Sequence, residues 1–281
     1  MRPGPVETTA DDRLLYGAVH LDVTDLDRSL VFWRDLIGMS ELGADEDGAV
    51  RLGVPDAELV VLHPGATQPV QRGYAALYHL AIHMSSEAEF ARLLGRLFAA
   101  RYPNAPTDHI THWATYLDDP DGINVEIAFE TIDRVGEIKV EGRPLIVDSE
   151  GRRHDMTEPL GLEEVFAHQE DEDLTKPLPA GTRIGHVHLY VGDLEAAQAF
   201  YEQVGFTRHM DASGIGFADL SLGGGFPHRI AVNVWQGVGA PQAPAGTAGM
   251  RHFELKPSRG RPGLETGRHL DPSGNAVVLL I

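Results

Sequence analysis

The chain has 281 residues, no cysteine, and a formal net charge of −19 from 23 Lys and Arg against 42 Asp and Glu. That length suffices for a sizeable core in one or two domains, and the acidity argues against nucleic acid and anionic membrane surfaces as partners. Without Cys there is no disulfide, no thiol nucleophile and no thiolate ligand, so any metal must rest on carboxylates and on some of the 14 His.

The opening MRPGPVETTADD carries no apolar run, so no signal peptide is expected, and residues 1–14 read as a tail. Nowhere does an apolar stretch approach the roughly 20 residues that span a bilayer. A soluble cytoplasmic protein is the expectation. AVHLDVTDLDRSLVFWRDLIGM, Ala18–Met39, then reads as a strand, a helix capped by Asp25 and a Gly-containing stop. YHLAIHM, Tyr78–Met84, opens a second unit. It ends in TDHITHWATYLDDPDGINVEIAFE, Thr107–Glu130, where two β-branched and aromatic runs flank a Pro-Gly turn. Side chains alternate along a strand, so Glu126 lies opposite Val125 and Ile127 and is a lone carboxylate in an apolar run. A buried carboxylate needs a partner, and a metal ion is a common one. Residues 133–181 follow, rich in charge, Pro and Gly. They read as a solvated connector in which LGLEEVFAH is a candidate short helix.

The remainder repeats what came before. HVHLYVGDLEAAQAFYEQVGF, His186–Phe206, matches Ala18–Met39, and RHFELKP, Arg251–Pro257, matches Tyr78–Met84. LDDPDGINVEI, Leu117–Ile127, is answered by LDPSGNAVVLL, Leu270–Leu280. Four units result, at about 16–64, 75–131, 183–237 and 249–281, each patterned βαβββ, with a doubtful helix in the short fourth.

This repeat resembles the vicinal oxygen chelate superfamily of glyoxalases, bleomycin resistance proteins and extradiol dioxygenases, and nearest to it the two-domain catechol 2,3-dioxygenase-like proteins. The resemblance covers nearly everything after Leu15. It implies an α+β fold in which the four βαβββ modules pair into two curved mixed-sheet domains, 15–132 and 182–281, joined by the 133–181 linker. The ring-cleavage signature is matched by His109, Tyr116, the turn Asp119-Pro120-Asp121-Gly122, and Glu126. Thr115 departs from it, standing where the family usually has a large apolar residue, but Thr suits a strand.

The resemblance also implies ligand slots on the first and last strands of the modules. His79 and Glu126 fill those of module 2, and His186 fills the first of module 3. Ala18 and Val278 occupy slots without a donor. Two sets therefore compete for the third ligand. His186 completes a two-His, one-carboxylate set if modules 2 and 3 pair, leaving 1 with 4. His20 completes it if modules 1 and 2 pair. The first is preferred. His188 and His252 are left to supporting or structural roles.

The implied activity is a non-haem Fe(II)-dependent extradiol cleavage of a catechol-type aromatic diol by dioxygen, Mn(II) or another divalent metal being the alternative. His109 would be the acid/base residue and Tyr116 a hydrogen-bond partner of a substrate oxygen. His112 is on the same strand and could substitute in either role, but it is expected to face away or into solvent. For Trp113, Phe129 and Trp235, core packing is preferred over an aromatic pocket wall. The alternatives are a glyoxalase-like metal-dependent lyase or isomerase, which usually shows more carboxylate ligands, and a metal-free drug-binding resistance protein. The resemblance allows a homo-oligomer, because exposed sheet edges in this fold are often paired between subunits.

Overall fold

The computed structural model describes residues 9–140 and 144–281; residues 1–8 of the expected tail lie outside them. Module 1 contains β1 (Leu14–Val23), α1 (Leu26–Leu30) widening into a π-type turn at Val31–Leu36, β2 (Ser40–Ala44), β3 (Val50–Val54) and β4 (Ala57–Pro64). Module 2 contains β5 (Leu77–His83), α2 (Glu87–Ala99), β6 (Ala105–Asp108), β7 (His112–Asp118) and β8 (Asn124–Glu130). The linker holds β9 (Val135–Lys139), β10 (Leu145–Asp148), β11 (Arg153–Asp155), β12 (Glu158–Pro159) and α3 (Leu162–Ala167). Module 3 contains β13 (Arg183–Tyr190), α4 (Leu194–Val204), β14 (Thr207–Ala212), β15 (Phe217–Ser221) and β16 (Ile230–Asn233). Module 4 contains β17 (Gly249–Pro257), β18 (Gly267–Leu270) and β19 (Ala276–Leu279), and its strands are joined without a helix.

The helices begin where the sequence supplies a side-chain oxygen for an orphan N–H. Asp25, Ser86 and Asp193 accept from the backbone N–H of Arg28, Glu89 and Ala196 at the starts of α1, α2 and α4. Gly205, at φ +128°, ends α4 in a conformation that a side chain would resist.

Two large sheets form. Their orders are β12-β6-β7-β8-β5-β13-β16-β15-β14 and β18-β19-β17-β1-β4-β3-β2. Antiparallel pairing of β5 with β13 joins module 2 to module 3, and pairing of β1 with β17 joins module 1 to module 4. Each large sheet thus draws on both halves of the chain. Modules adjacent in sequence are clasped by turns instead. Trp33 Nε1 donates to Asp119 at 3.3 Å, and Arg28 pairs with Asp121 at 2.6 Å. Tyr201 OH donates to Asp271 at 3.2 Å in the corresponding place of the other half.

The linker is not a solvated connector. β9, β10 and β11 make a three-stranded sheet, and β12 pairs with β6 at the edge of the nine-stranded sheet. Ile146 and Val165 are fully buried, which gives this segment apolar anchors of its own.

Strand alternation sorts the side chains. Leu80 and Ile82 of β5, Val125 and Ile127 of β8, and Val187 and Leu189 of β13 join the apolar core with Phe90, Leu93, Leu94 and Leu97 of α2. Their neighbours His79, His83, Glu126, Glu130, His186 and His188 therefore project from the other face. Trp113 and Phe129 pack together, their ring centroids 5.9 Å apart, as core packing requires. Trp235 instead is half exposed and lines a cavity.

Candidate metal centre

β8, β5 and β13 are neighbours in the nine-stranded sheet, so their projecting residues converge. His79 Nε2 and His186 Nε2 each lie 3.1 Å from Glu126 Oε2, and 3.2 Å from one another. All three side chains are buried. His20, the rival third ligand, is on the other sheet: it is paired with His252 on β17 and has no place in this cluster.

The hydrogen bonds behind the cluster decide which nitrogen carries a lone pair. Glu130 Oε1 lies 2.6 Å from His83 Nδ1, and a carboxylate can only accept, so that nitrogen donates. Burial, only partly countered by Glu130, holds the His83 pKa down to about 4, so its ring is neutral and Nε2 accepts. His186 Nδ1, 3.0 Å away, is then the donor, and His186 Nε2 is left with a lone pair aimed at Glu126. Burial likewise keeps His186 well below the ordinary imidazole range, so this ring is also neutral. Burial pushes the Glu126 carboxyl up, yet it is held well below its usual range, with His112 Nε2 2.8 Å from its Oε1. An imidazole lone pair thus faces a carboxylate oxygen at 3.1 Å. Two acceptors in a dry site repel, and a cation among them removes the conflict. The residues present fit a divalent metal.

Room is made for this relay at Gly185, where a Cβ would stand 1.9 Å from the His83 ring. The far end is anchored as well. Glu130 also pairs with Arg183 at 2.9 Å and Arg229 at 3.2 Å, and Arg229 with Asp12 at 2.9 Å.

Beside the cluster, His109 Nε2 lies 2.8 Å from Tyr116 OH, and His109 Nδ1 lies 2.6 Å from the Met156 carbonyl. A carbonyl accepts, so Nδ1 carries the proton and Nε2 accepts from the phenol. Burial, with His112 adding to it, lowers the His109 pKa to about 4 and keeps the ring neutral at physiological pH. Burial, with Glu126 adding to it, raises Tyr116 well above its ordinary value. A cavity of about 430 Å³ opens over these groups, walled by Tyr78, Phe217, Phe226 and Trp235 and closed on the linker side by Ile138, Met156 and Thr157.

Residues 16–127 match the family model described as the Glyoxalase/Bleomycin resistance protein/Dioxygenase superfamily. A protein of Bacillus subtilis named catechol-2,3-dioxygenase is 31% identical over 245 residues, covering 85% of this chain and 81% of its own. The chain belongs to this superfamily. Solved structures agree on the fold. A putative dioxygenase of Bacillus subtilis aligns with a TM-score of 0.53 at 14% identity, over 88% of this chain and 71% of that one. Glyoxalase I of Zea mays aligns with a TM-score of 0.53 at 16% identity, over 98% and 94%.

Several groups around this superfamily site escaped sequence reasoning. His112 does not face away. It is buried, and its Nε2 lies 2.8 Å from Glu126 Oε1. The signal was present, because His112 and Tyr116 are four apart on one strand and so share a face. The same parity links His83 to His79. His188, bonded by Asn233 Nδ2 at 2.8 Å, lines the cavity as a supporting group. His228, 2.7 Å from Asp219, and the linker residues had no local signal, since contacts across the chain bring them there.

Proposed function

We propose that the chain is an extradiol ring-cleavage dioxygenase acting on a catechol-type aromatic diol, with Fe(II) held by His79, Glu126 and His186. The observation that carries this reading is the convergence of two imidazoles and one buried carboxylate beneath an aromatic-walled cavity, a donor set suited to Fe(II) and also to Mn(II). The 31% identity to a protein named catechol-2,3-dioxygenase supports it. Bound there, the metal would acidify a chelated phenol and bring the diol and dioxygen together.

The chain's own residues handle position and protons. Tyr78, Phe217 and Trp235 offer aromatic faces to a flat ring and exclude water. His109 is neutral with Nε2 unprotonated, so it can take a proton from the diol directly or across the Tyr116 hydroxyl. The Met156 carbonyl, accepting from Nδ1, stabilises the imidazolium that results. His112 holds the second oxygen of Glu126, and His83 holds His186. A lyase of the glyoxalase kind would want a further carboxylate. Asp219, which also borders the cavity, is already engaged with His209 and His228.

The test is metal analysis of protein purified without oxygen, followed by oxygen uptake with catechol and substituted catechols. Bound iron and oxygen consumption that yields a ring-opened product are expected, with about one equivalent of the metal and all of the oxygen consumption lost in Glu126→Ala. A folded native protein that retains no first-row metal after reconstitution would sink the dioxygenase and leave a binding protein. Metal uptake that is lost in Glu126→Ala, without oxygen consumption, would favour the lyase class.

A further inference from the structure

The seven-stranded sheet carries a second cluster that the chemistry above does not use. His20 is on β1, His63 on β4, and His252 and Glu254 on β17. His20 and His252 are register partners, and their rings stack with centroids 4.0 Å apart. His20 Nε2 lies 3.5 Å from Glu254 Oε1, and one donor atom each from His20, His252 and Glu254 falls within 4.8 Å of the others.

The two sheets are built alike, which gives this placement its meaning. In the nine-stranded sheet Ala81 of β5 pairs with Glu126 of β8. In the seven-stranded sheet Glu254 of β17 pairs with Val278 of β19. The carboxylate has moved one strand across. His252 stands where His79 does, since His79 pairs with His188 as His252 pairs with His20. Ala18 stands where His186 would be, and Glu254 uses the space so freed. Its Oε2 accepts the Ala18 N–H at 3.1 Å, and a Cβ at Gly17 would come within 2.6 Å of that oxygen. Two imidazoles and one carboxylate are thus rebuilt on different strands.

The placement of the donors suits a cation. Glu254 Oε2 is occupied by a backbone N–H, which leaves Oε1 towards His20. His20 Nδ1 and His63 Nε2 share a proton at 2.8 Å. His20 Nε2 is closed off from solvent and makes no hydrogen bond among the described residues. When His20 donates from Nδ1 to His63, its Nε2 lone pair faces Glu254 Oε1 at 3.5 Å, and a cation between them satisfies both.

We propose that His20, His252 and Glu254 hold a second divalent transition-metal cation, of the class that accepts imidazole and carboxylate together, and that His63 orients His20 for it. This site is separate from the first, and neither depends on the other.

The test is equilibrium dialysis of the full chain against Zn²⁺, with thermal unfolding run in parallel to show that each chain is folded. Glu126→Ala should retain about one equivalent, and adding Glu254→Gln should remove it. In the otherwise native chain, Glu254→Gln and His252→Ala should each lower uptake by about one equivalent, and His63→Leu should raise the dissociation constant about 10–100-fold. One equivalent in both the native and Glu126→Ala chains, lost on Glu254→Gln, would support the second site while removing the first. The second site is overturned if folded Glu126→Ala binds no Zn²⁺, or if native stoichiometry survives both Glu254→Gln and His252→Ala. Should Glu126→Ala fail to fold, the two substitutions in the native background decide the matter alone.

Discussion

The nine-stranded and seven-stranded sheets share a plan and differ in what surrounds their carboxylate. Each has a central antiparallel strand pair contributed by different halves of the chain, with a parallel neighbour on either side. In the larger sheet Glu126 is buried, His112 holds its second oxygen, and His186 is fixed by the His83–Glu130 relay. In the smaller sheet Glu254 is only part-buried and leans on one backbone N–H. The linker also closes one side of the first site, through Ile138 and Met156. The comparison teaches that two imidazoles and a carboxylate can be gathered on either sheet from different strand positions. A dry, ordered site needs supports that come from outside it.

The largest expected effect is at Glu126. Glu126→Ala removes the carboxylate that three imidazoles face, so about one equivalent of bound metal should be lost and oxygen uptake with catechol should fall to background. Unchanged metal stoichiometry or retained oxygen uptake would mean that the larger sheet does not hold the working metal. His109→Ala comes next. Loss of a positioned base should lower kcat by about 10²–10⁴-fold with iron content unchanged, read by oxygen electrode and metal analysis. A fall in iron would instead make His109 a ligand.

The relay is tested by His83→Leu, which leaves the His186 Nδ1 proton without an acceptor. Iron affinity should weaken about 10–100-fold, measured by chelator competition. Unchanged affinity would show that the His83–Glu130 relay does not support the metal. The mildest effect is on pH. His83 and His109 are held near pKa 4 in the folded chain, against about 6.5 when unfolded. Between those values the unfolded chain binds more protons, so stability should fall as pH drops from 6.5 towards 4 and should gain nothing from these groups above 6.5. Urea midpoints at pH 7.5 and pH 5 check this, and a higher midpoint at pH 5 would contradict it.

Much of the site was legible locally. The hairpin of β7 and β8 follows from β-branched and aromatic runs around Asp-Pro-Asp-Gly, and strand parity alone puts Glu126 on a face apart from Val125 and Ile127. The same parity places His112 with Tyr116, and only the neighbouring apolar Trp113 made this histidine look outward in the linear chain. The linker failed for a different reason. Its strands are two to five residues long and carry little periodicity, so only the β6 edge that receives β12, and the core that receives Val165, reveal that it folds.

Sequence by itself determined the modules, their caps, the candidate donors and the family, because helix caps, turn residues and strand alternation act over a few residues. The partner of each module was decided only in three dimensions. β5 meets β13, and β1 meets β17, through hydrogen bonds between segments more than 100 residues apart, and a strand's own residues do not specify which edge it will join. That pairing places His186 beside Glu126, sends His20 to Glu254, and so separates two clusters that look interchangeable in the linear chain.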